Sequence, residues 1–339
     1  MRKTNKQMAD ENSEGPELDL SVDLAPRNLQ HLRLSNPVII ASGTFGYDGY
    51  GRGITDDMDL SALGAVIPKT VTRQPREGNR EPRWYPESFR EAWEAGDQLF
   101  LNSIGLTNPG IDAALSELAP VWDAWPANIL LSFSADSVDE FAEMTAMTQG
   151  VAGFNGIELN LSCPNVDAGS LFSHSAEMTY DAVAAVKANT SLPVVAKLAP
   201  NVPDIIPIAT AAAAAGADAL TLCNTIPAMR IDTVTGRPHL GNVTGGLSGM
   251  GLRPISLALV YQSAQAVDIP IIGVGGIFDA DHALEYILAG ASAVQIGSAN
   301  LVNLNAPWRI LSELKKRLAE RGVSDLARLG GAAWPAPIA

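Results

Sequence analysis

A cysteine lies where a strand-like segment gives way to a loop. Residues 156–161 form an apolar run that favours a β-strand, and the chain then continues Ser-Cys-Pro-Asn, with Cys163 as the thiol. A free cysteine is often a small buried hydrophobe, but Cys163 opens a polar loop between Asn160 and Asn165, whose amides suit a planar, amide-rich ligand. A thiol of reference pKa ~8.5 can act as a general base once its surroundings lower that value. The pattern therefore indicates Cys163 as a catalytic base.

Two lysines end apolar, strand-like runs. Lys69 closes the run at 65–69, and Lys197 closes Val-Val-Ala-Lys at 194–197. Because an ammonium group is costly to bury without a partner, an anionic ligand or cofactor would explain both, whereas pairing with a carboxylate would explain either one alone. Cys223 ends a similar apolar run and is interpreted as packing beside the ligand. His174 is a competing base with no other supporting residue nearby.

Glycines follow the last two strand-like runs. The chain reads Gly-Val-Gly-Gly-Ile at 273–277 and Gln-Ile-Gly-Ser-Ala at 295–299. Glycine lets backbone N–H groups approach phosphate oxygens, and in α/β barrels the loops after strands seven and eight often bind a phosphate. Together the two clusters predict a phosphate-bearing cofactor. No G-x-G-x-x-G sequence lies between a strand and a helix, so a dinucleotide site is not inferred.

The elements that must position these residues alternate between strand and helix patterns, which is typical of βαβ units around a parallel sheet. Eight strands close a (β/α)8 TIM barrel, and the joint Ala-Gly-Ala-x-Ala recurs at 215–219 and 289–293. We predict one barrel domain at 21–339 after a disordered extension at 1–20. The predicted strands are 37–42, 65–69, 129–133, 156–161, 193–198, 219–223, 270–275 and 293–297.

Three connections are too long for simple turns, namely 73–106, 162–176 and 224–253. Each follows the carboxyl end of a predicted strand, which is the face where barrel enzymes keep their catalytic groups. We expect the first of them to lie across this face as an inserted loop or small hairpin.

Composition excludes several other classes of protein. The chain has 339 residues, 47% of them hydrophobic, and a formal charge of −14, which argues against a nucleic-acid groove or an anionic membrane as the partner. Its 2 cysteines cannot build a disulfide framework or a metal site. No run reaches the ~20 apolar residues of a membrane span, and we expect a reduced, cytoplasmic setting.

Eight stretches in this order resemble the FMN-containing catalytic subunit of the class 1B dihydroorotate dehydrogenase family. The most specific are Cys-Pro-Asn-Val at 163–166 and Gly-Asn-Val-Thr-Gly-Gly-Leu-Ser-Gly at 241–249. The others lie at 36–46, 68–72, 75–79, 102–110, 223–225 and 273–277, and the resemblance covers about 36–303.

The resemblance implies a role for each matching residue. Cys163 would remove a proton from C5 of dihydroorotate while a hydride leaves C6 for the flavin. Residues implied to hold the substrate are Lys69, Asn102, Ser103, Ile104, Gly105, Leu106, Asn160, Asn224 and Thr225. Residues implied to hold FMN are Ser42, Lys69, Thr70, Ser132, Asn160, Lys197, Cys223, Gly249, Gly275, Gly276, Gly297 and Ser298. Lys197 would lie near the flavin ring, where a cation stabilises the reduced form.

The chain departs from the family pattern at a few positions. Ser132 stands where the family usually has an asparagine, and the loop after Asp167 has Gly169-Ser170 and Phe172-Ser173 in place of Gly-Gly and Phe-Gly. The segment between Asn79 and Asn102 is also longer.

The family implies a homodimer of catalytic subunits and a partner subunit that carries FAD and an iron–sulfur cluster and passes electrons to NAD. This chain has no cysteine set for such a cluster. Alternatives are a fumarate-type acceptor without a partner, a related FMN barrel acting on another dihydropyrimidine, a tRNA dihydrouridine synthase, which the acidic charge disfavours, and a scaffold subunit without cofactor.

Overall fold

The computed structural model describes residues 18–55, 58–161 and 172–335. Cys163 and residues 1–17 of the predicted extension lie outside the described residues. At the start of the described chain, Leu20 is buried and the Asp19 amide donates to the carbonyl of Ser324. The extension as predicted therefore includes residues that pack on the domain.

The strands are short, and the helices alternate with them. The strands are β1 (Val22–Asp23), β2 (Arg33–Leu34), β3 (Val38–Ile40), β4 (Ala65–Val66), β5 (Trp84–Tyr85), β6 (Leu99–Asn102), β7 (Asn128–Phe133), β8 (Gly156–Asn160), β9 (Val194–Lys197), β10 (Ala219–Leu222), β11 (Ile226–Ala228), β12 (Ile231–Asp232), β13 (Arg237–Pro238), β14 (Gly245–Gly249), β15 (Ile271–Val274) and β16 (Ala293–Ile296).

Eight of these strands close a parallel barrel in the order β3-β4-β7-β8-β9-β10-β15-β16, with β16 pairing back to β3. Each of the eight lies within a strand predicted from the sequence or begins one residue before it, so the predicted (β/α)8 barrel is confirmed. We call the end of the barrel that holds the carboxyl ends of these strands the mouth, and we call the opposite end the floor.

The helices are α1 (Phe89–Glu94), α2 (Ile111–Ala113), α3 (Ala119–Trp122), α4 (Val138–Met147), α5 (Ala176–Lys187), α6 (Ile206–Ala214), α7 (Arg253–Ala264), α8 (Ala280–Leu288), α9 (Ser298–Val302) and α10 (Ala306–Glu320). A π-helical stretch, Ala114–Leu118, joins α2 to α3. Side-chain caps explain several starts, because Ser137, Ser175 and Asp279 each accept from an amide of the first turn. Within the described residues, no helix is both long and apolar enough to cross a membrane.

The sequence pattern at 56–63 predicts a helix, and here the structure differs from the prediction. The described part of the segment predicted at 56–63 contains only the 3-10 turn Leu60–Ala62, which Asp59 caps by accepting from the amide of Ser61. Apolar spacing over eight residues cannot distinguish a single turn from a longer helix, because both place Leu60 against the core.

The barrel interior near the floor is apolar. Alternate strand residues face inward and meet four residues of the β1–β2 hairpin, which covers the floor. This cluster comprises Ile39, Ala65, Ile67, Leu130, Val195, Ala219, Ile272 and Ala293 with Leu24, Ala25, Leu32 and Leu34. The inward-facing residues closer to the mouth are polar on several strands, so the polar groups lie between a sealed floor and an open mouth.

Two of the long connections combine into one sheet at the mouth. The insertion after β4 contributes β5 and β6, the insertion after β10 contributes β11 and β14, and the four strands pair antiparallel in the order β11-β14-β6-β5. The first insertion thus forms the predicted hairpin at the mouth, from β5 and β6, and α1 lies between the two strands in the chain. Pairing between β6 and β14 makes the two insertions a single unit over the barrel.

Candidate functional site

A cavity opens at the mouth, between the barrel strands and the inserted sheet. It encloses about 1120 Å³ free of protein atoms, part of it open to solvent. Fifteen of the predicted site residues line it: Ser42, Lys69, Thr70, Asn102, Ile104, Leu106, Asn160, Lys197, Cys223, Asn224, Thr225, Gly275, Gly276, Gly297 and Ser298. Residues far apart in sequence are therefore brought to one site.

Four predicted site residues do not line the cavity but lie behind it. Ser103 is fully buried and its hydroxyl accepts from Nδ2 of Asn79 at 2.9 Å. A Cβ at Gly105 would lie 2.5 Å from the amide nitrogen of Asn79, and one at Gly249 would lie 2.2 Å from the carbonyl oxygen of Gln98. The fourth, Ser132, is buried beneath Thr70. These residues shape the lining, whereas the predicted base, Cys163, lies outside the described residues.

A group of amide side chains occupies one wall of the cavity. Nδ2 of Asn224 donates to Oδ1 of Asn160 at 3.4 Å, and Oδ1 of Asn224 accepts from the amide of Thr225 at 2.8 Å. The main chain of Asn160 is also held in place, because the Ser134 hydroxyl donates to the backbone carbonyl of Asn160 at 3.0 Å. Asn102, which also lines the cavity, ends β6. The wall offers amide donors and acceptors with orientations set by neighbouring strands.

Glycines leave space on the opposite wall. A Cβ at Gly297 would meet only the Cβ of Ala41, at 3.8 Å, so a side chain there would enter the cavity. Gly275 and Gly276 have φ values of +134° and +66°, and a Cβ on either would approach α7 or the turn before it within 3 Å. A Cβ at Gly43 would meet only Nζ of Lys69, at 4.0 Å. Gly275 and Gly276 thus permit close packing against α7, whereas the lack of a side chain at Gly297 and Gly43 leaves backbone that a ligand can approach closely, as a phosphate requires.

Three hydroxyl groups form a chain at the base of the cavity. Ser42 donates to the carbonyl of Pro68 at 3.0 Å, which can only accept. The Thr70 hydroxyl, 3.0 Å from that of Ser42, therefore donates to it, and Ser132 donates in turn to Thr70 at 2.8 Å. Ser132 reaches the cavity only through Thr70, which fits its position outside the lining.

A buried lysine and a buried glutamate lie beneath the cavity. Nζ of Lys197 is 3.6 Å from Oε1 of Glu158, and the two side chains are 8% and 0% exposed. Glu158 was not identified from the sequence. The only available signal was a carboxylate between Ile157 and Leu159, in a strand otherwise suited to a core. An ammonium group in this setting offers positive charge to the cavity above it.

Cys223 is a thiol and not a thiolate at neutral pH. Burial raises the pKa of Cys223 to about 12, although the Ser256 hydroxyl and the Lys197 ammonium act in the opposite direction. A thiol with that pKa cannot serve as a general base near neutral pH. The interpretation of Cys223 as packing beside the ligand is consistent with this environment.

Several lining residues were not predicted. The apolar ones come largely from the insertions and from the loops after the last two strands: Ala41, Trp84, Phe89, Leu252, Val274, Ile277 and Leu301. Gly43, Thr44 and Ser248 complete the lining. Trp84 and Phe89 lie in the insertion after β4, and their only sequence signal was the aromatic content of a long loop.

The fold and the cavity define the class of protein: a (β/α)8 barrel with a ligand cavity at the carboxyl ends of its strands, the usual location of active sites in this fold. Residues 25–318 match the family model described as dihydroorotate dehydrogenase. The chain belongs to the dihydroorotate dehydrogenase family, whose members are flavin-dependent oxidoreductases.

Curated relatives match over nearly their whole length. A protein of Desulforudis audaxviator is 46% identical over 303 residues, which cover 89% of this chain and 95% of the relative. Proteins of Desulforamulus reducens and Geobacter sp. strain M21 are 42% identical over 307 residues and 41% identical over 315 residues, covering 96% and 98% of those relatives and 89% and 93% of this chain. All three are named dihydroorotate dehydrogenase B (NAD(+)), catalytic subunit.

The residues present fit a flavin nucleotide. Gly297 leaves room where a side chain would otherwise project, and Gly275 and Gly276 hold left-handed backbone against α7. Lys197 supplies a cation at the base of the cavity. The phosphate of a flavin nucleotide requires open glycine backbone. Its ring, which gains negative charge on reduction, requires a nearby cation.

Proposed function

We propose that this protein oxidises dihydroorotate to orotate, the dehydrogenation step of de novo pyrimidine biosynthesis, with FMN bound in the cavity at the mouth of the barrel. The observation that carries the proposal is the convergence of a glycine wall, a buried lysine and an amide wall on one cavity, in a chain of the dihydroorotate dehydrogenase family. Each of the three features matches one part of the chemistry.

FMN would bind between the glycine wall and Lys197. Gly275, Gly276, Gly297 and Ser298 would hold the phosphate through backbone N–H groups and a hydroxyl. Bound FMN supplies the acceptor for the hydride that leaves C6 of the substrate. Lys197 would favour the reduced state by placing a positive charge where negative charge develops. The hydroxyl chain through Thr70 would fix the cavity base, and Gly249 would keep β14 close to the start of β6.

Dihydroorotate would bind against the amide wall. Its carboxylate requires a cation and donors, which Lys69 and the loop from Asn102 to Leu106 would provide. Its ring carries two amide-like edges, which suit the side chains of Asn160, Asn224 and Thr225. Hydrogen bonds among Asn160, Asn224 and Thr225 already orient those amides, so the substrate would meet a preorganised surface.

Cys163 would act as the base. It follows Asn160 by three residues in the sequence, and three residues span at most about 11 Å. Its thiolate would take the proton from C5 as the hydride leaves C6, so that a C5–C6 double bond forms. Cys223, whose pKa is raised to about 12 by burial, would remain protonated throughout.

Electrons would leave through a partner subunit. The relatives are named catalytic subunits of an NAD(+)-dependent enzyme, and we infer that this chain likewise works with a subunit that carries FAD and an iron–sulfur cluster. Among the described residues, no group of three or more His, Cys, Asp or Glu could hold a metal ion. The purified chain alone should therefore reduce an artificial dye but not NAD, and NAD reduction by the chain alone would contradict the assignment of a partner.

The test of the function is a substrate comparison. The purified chain with FMN should convert dihydroorotate to orotate in the presence of an artificial acceptor, and should convert dihydrouracil, which lacks the carboxylate, far more slowly. A preference for dihydrouracil would favour the alternative, an FMN barrel acting on another dihydropyrimidine. Protein that neither retains nor takes up FMN would contradict the proposal as a whole.

A further inference from the structure

A small polar cluster lies inside the barrel beneath the cavity. Glu158, Thr221 and Gln295 come from β8, β10 and β16, and all three are fully buried. Thr221 Oγ1 donates to Oε2 of Glu158 at 3.1 Å, and Nε2 of Gln295 donates to the same oxygen at 2.6 Å. Two neutral donors thus fix one oxygen of the carboxylate.

The other carboxylate oxygen has a different environment. Oε1 of Glu158 is buried, accepts no hydrogen bond from the described residues, and lies 3.6 Å from Nζ of Lys197. A buried carboxylate held only by neutral groups is unfavourable, so the lysine is its electrostatic partner. Lys197 in turn lines the cavity, which places the pair along the barrel axis with the cation on the ligand side.

We propose that Glu158 is a positioning residue that acts on the flavin through Lys197. It holds the ammonium group at the base of the cavity, and so sets how closely that positive charge approaches the bound flavin and how strongly the flavin favours its reduced form. The inference rests on the proposed function, since it requires FMN in this cavity. Without the carboxylate, the ammonium group would no longer be held toward Glu158 and would turn toward the flavin, where its charge acts strongly because little solvent is present to screen it.

The charge of Glu158 can be separated from its shape. Glu158→Gln keeps the side-chain volume and an oxygen that can accept from Thr221 and Gln295, while it removes the negative charge and replaces Oε1 by an NH2 group that cannot bind the ammonium. Lys197→Met keeps most of the length and removes the positive charge. The pair of single variants and their combination form a double-mutant cycle, which measures whether one residue acts through the other.

The primary readout is the midpoint potential of bound FMN in a dye-coupled redox titration. Glu158→Gln should shift the potential to more positive values by at least about 30 mV. For a two-electron couple, this shift means that the protein binds reduced flavin tenfold more tightly, relative to oxidised flavin, than the wild type does. Lys197→Met should shift it to more negative values. The double variant should match Lys197→Met alone. Additive shifts, or an unchanged potential in Glu158→Gln, would overturn the inference.

Asp218→Asn is the matched control. Asp218 pairs with Lys187 at 2.8 Å, and its side chain is 8% exposed, but it lies at the floor of the barrel. Its neutralisation should leave the potential of FMN at the wild-type value. An equal shift in this variant would show a general response to losing a buried charge and would contradict a specific role for Glu158.

A second readout does not require flavin. In the FMN-free protein, the unfolding equilibrium constant of the double variant should differ at least tenfold from the value expected if the two single effects simply multiplied, because each single variant leaves one buried charge unpaired. A constant equal to that product would overturn the pairing. If Glu158→Gln does not fold, Glu158→Asp, which withdraws the carboxylate by one methylene, should give a smaller positive shift in potential, and no shift would overturn the proposal. Failure of wild-type protein to bind FMN would overturn the proposed function, whereas bound FMN with additive potentials would overturn this inference alone.

Discussion

Among the described residues, a lysine–carboxylate pair lies at each end of the barrel, and the two pairs differ in how fully their hydrogen bonds are satisfied. At the floor, Oδ2 of Asp218 accepts from Lys187 at 2.8 Å, from the amide of Val194 at 2.8 Å and from Asn28 at 3.4 Å. The carboxylate thereby ties the end of α5 to the start of β9 and to the N-terminal segment. This pair joins structural elements.

At the mouth, the Lys197–Glu158 pair is longer, at 3.6 Å, and Oε1 of Glu158 accepts no hydrogen bond from the described residues. Lys197 lines the cavity. The contrast indicates that the floor pair contributes mainly to stability, whereas the mouth pair contributes a charge to ligand binding. Variants at the two ends should therefore separate stability from function.

The largest effect is expected from Cys163→Ser. FMN should remain bound, while reduction by dihydroorotate at neutral pH should slow by about 10²–10⁴-fold, because serine is a far weaker base. Stopped-flow absorbance of the flavin measures the rate. Cys223→Ser makes the same chemical change at a buried thiol and should slow reduction less than tenfold. Equal effects at the two cysteines would contradict the assignment of the base.

Two glycines provide a second comparison between the ends. Gly297→Ala at the mouth should weaken FMN binding about tenfold, roughly 1.4 kcal/mol, with little change in stability, because a Cβ there meets only Ala41 at 3.8 Å. Gly64→Ala at the floor should lower stability and leave FMN binding unchanged, since a Cβ there would lie 2.2 Å from the carbonyl oxygen of Asn36.

We expect Gly64→Ala to lower the free energy of unfolding by about 1–3 kcal/mol. Urea unfolding and FMN titration of both variants test the contrast. Loss of FMN affinity in the folded Gly64→Ala protein, or a large loss of stability in Gly297→Ala, would show that the two ends are not separable in this way.

At the floor, Asp218→Asn should lower the free energy of unfolding by about 1–3 kcal/mol, because charge-assisted hydrogen bonds from Lys187 and Val194 are weakened. The FMN dissociation constant should stay within twofold of wild type. Chemical denaturation measures the first quantity and fluorescence titration the second. A variant with wild-type stability would contradict the structural role of this pair.

The smallest effect concerns alkaline pH. Burial raises the pKa of Cys223 to about 12, so the folded state keeps a proton that the unfolded state loses above its ordinary pKa of ~8.5. The contribution of Cys223 to the free energy of unfolding is fully present below the unfolded pKa of ~8.5 and is lost as the pH rises from there toward 12. Between pH 9 and 11, Cys223→Ala should reduce the slope of unfolding free energy against pH by up to about 1.4 kcal/mol per unit. Identical slopes would contradict a buried, protonated thiol.

Local sequence patterns were sufficient to predict the barrel. Strand β9, Val194–Lys197, lies within the predicted 193–198, because a β-branched run bounded by a proline has few alternatives. The glycine clusters were equally readable, since glycine at the ends of the last two strands has a specific use in this fold. These features depend on neighbours in the chain.

Features that depend on barrel closure were not predictable. Glu158 resembles an ordinary polar residue in an alternating strand, and its partners Thr221 and Gln295 are 63 and 137 residues away. Pairing of β6 with β14 was hidden for a similar reason, because β14 contains glycines at 245, 246 and 249, which disfavour a strand in isolation. Contacts between distant segments decide both.

The central claim is that the cavity at the mouth binds FMN and dihydroorotate together so that the substrate reduces the flavin. Its most direct test is an anaerobic titration of the purified, FMN-containing wild-type chain with dihydroorotate, followed at the visible absorbance band of oxidised flavin. We expect the band to disappear with formation of one orotate per flavin. An unchanged band with dihydroorotate, in protein whose flavin is still reduced by dithionite, would contradict the claim.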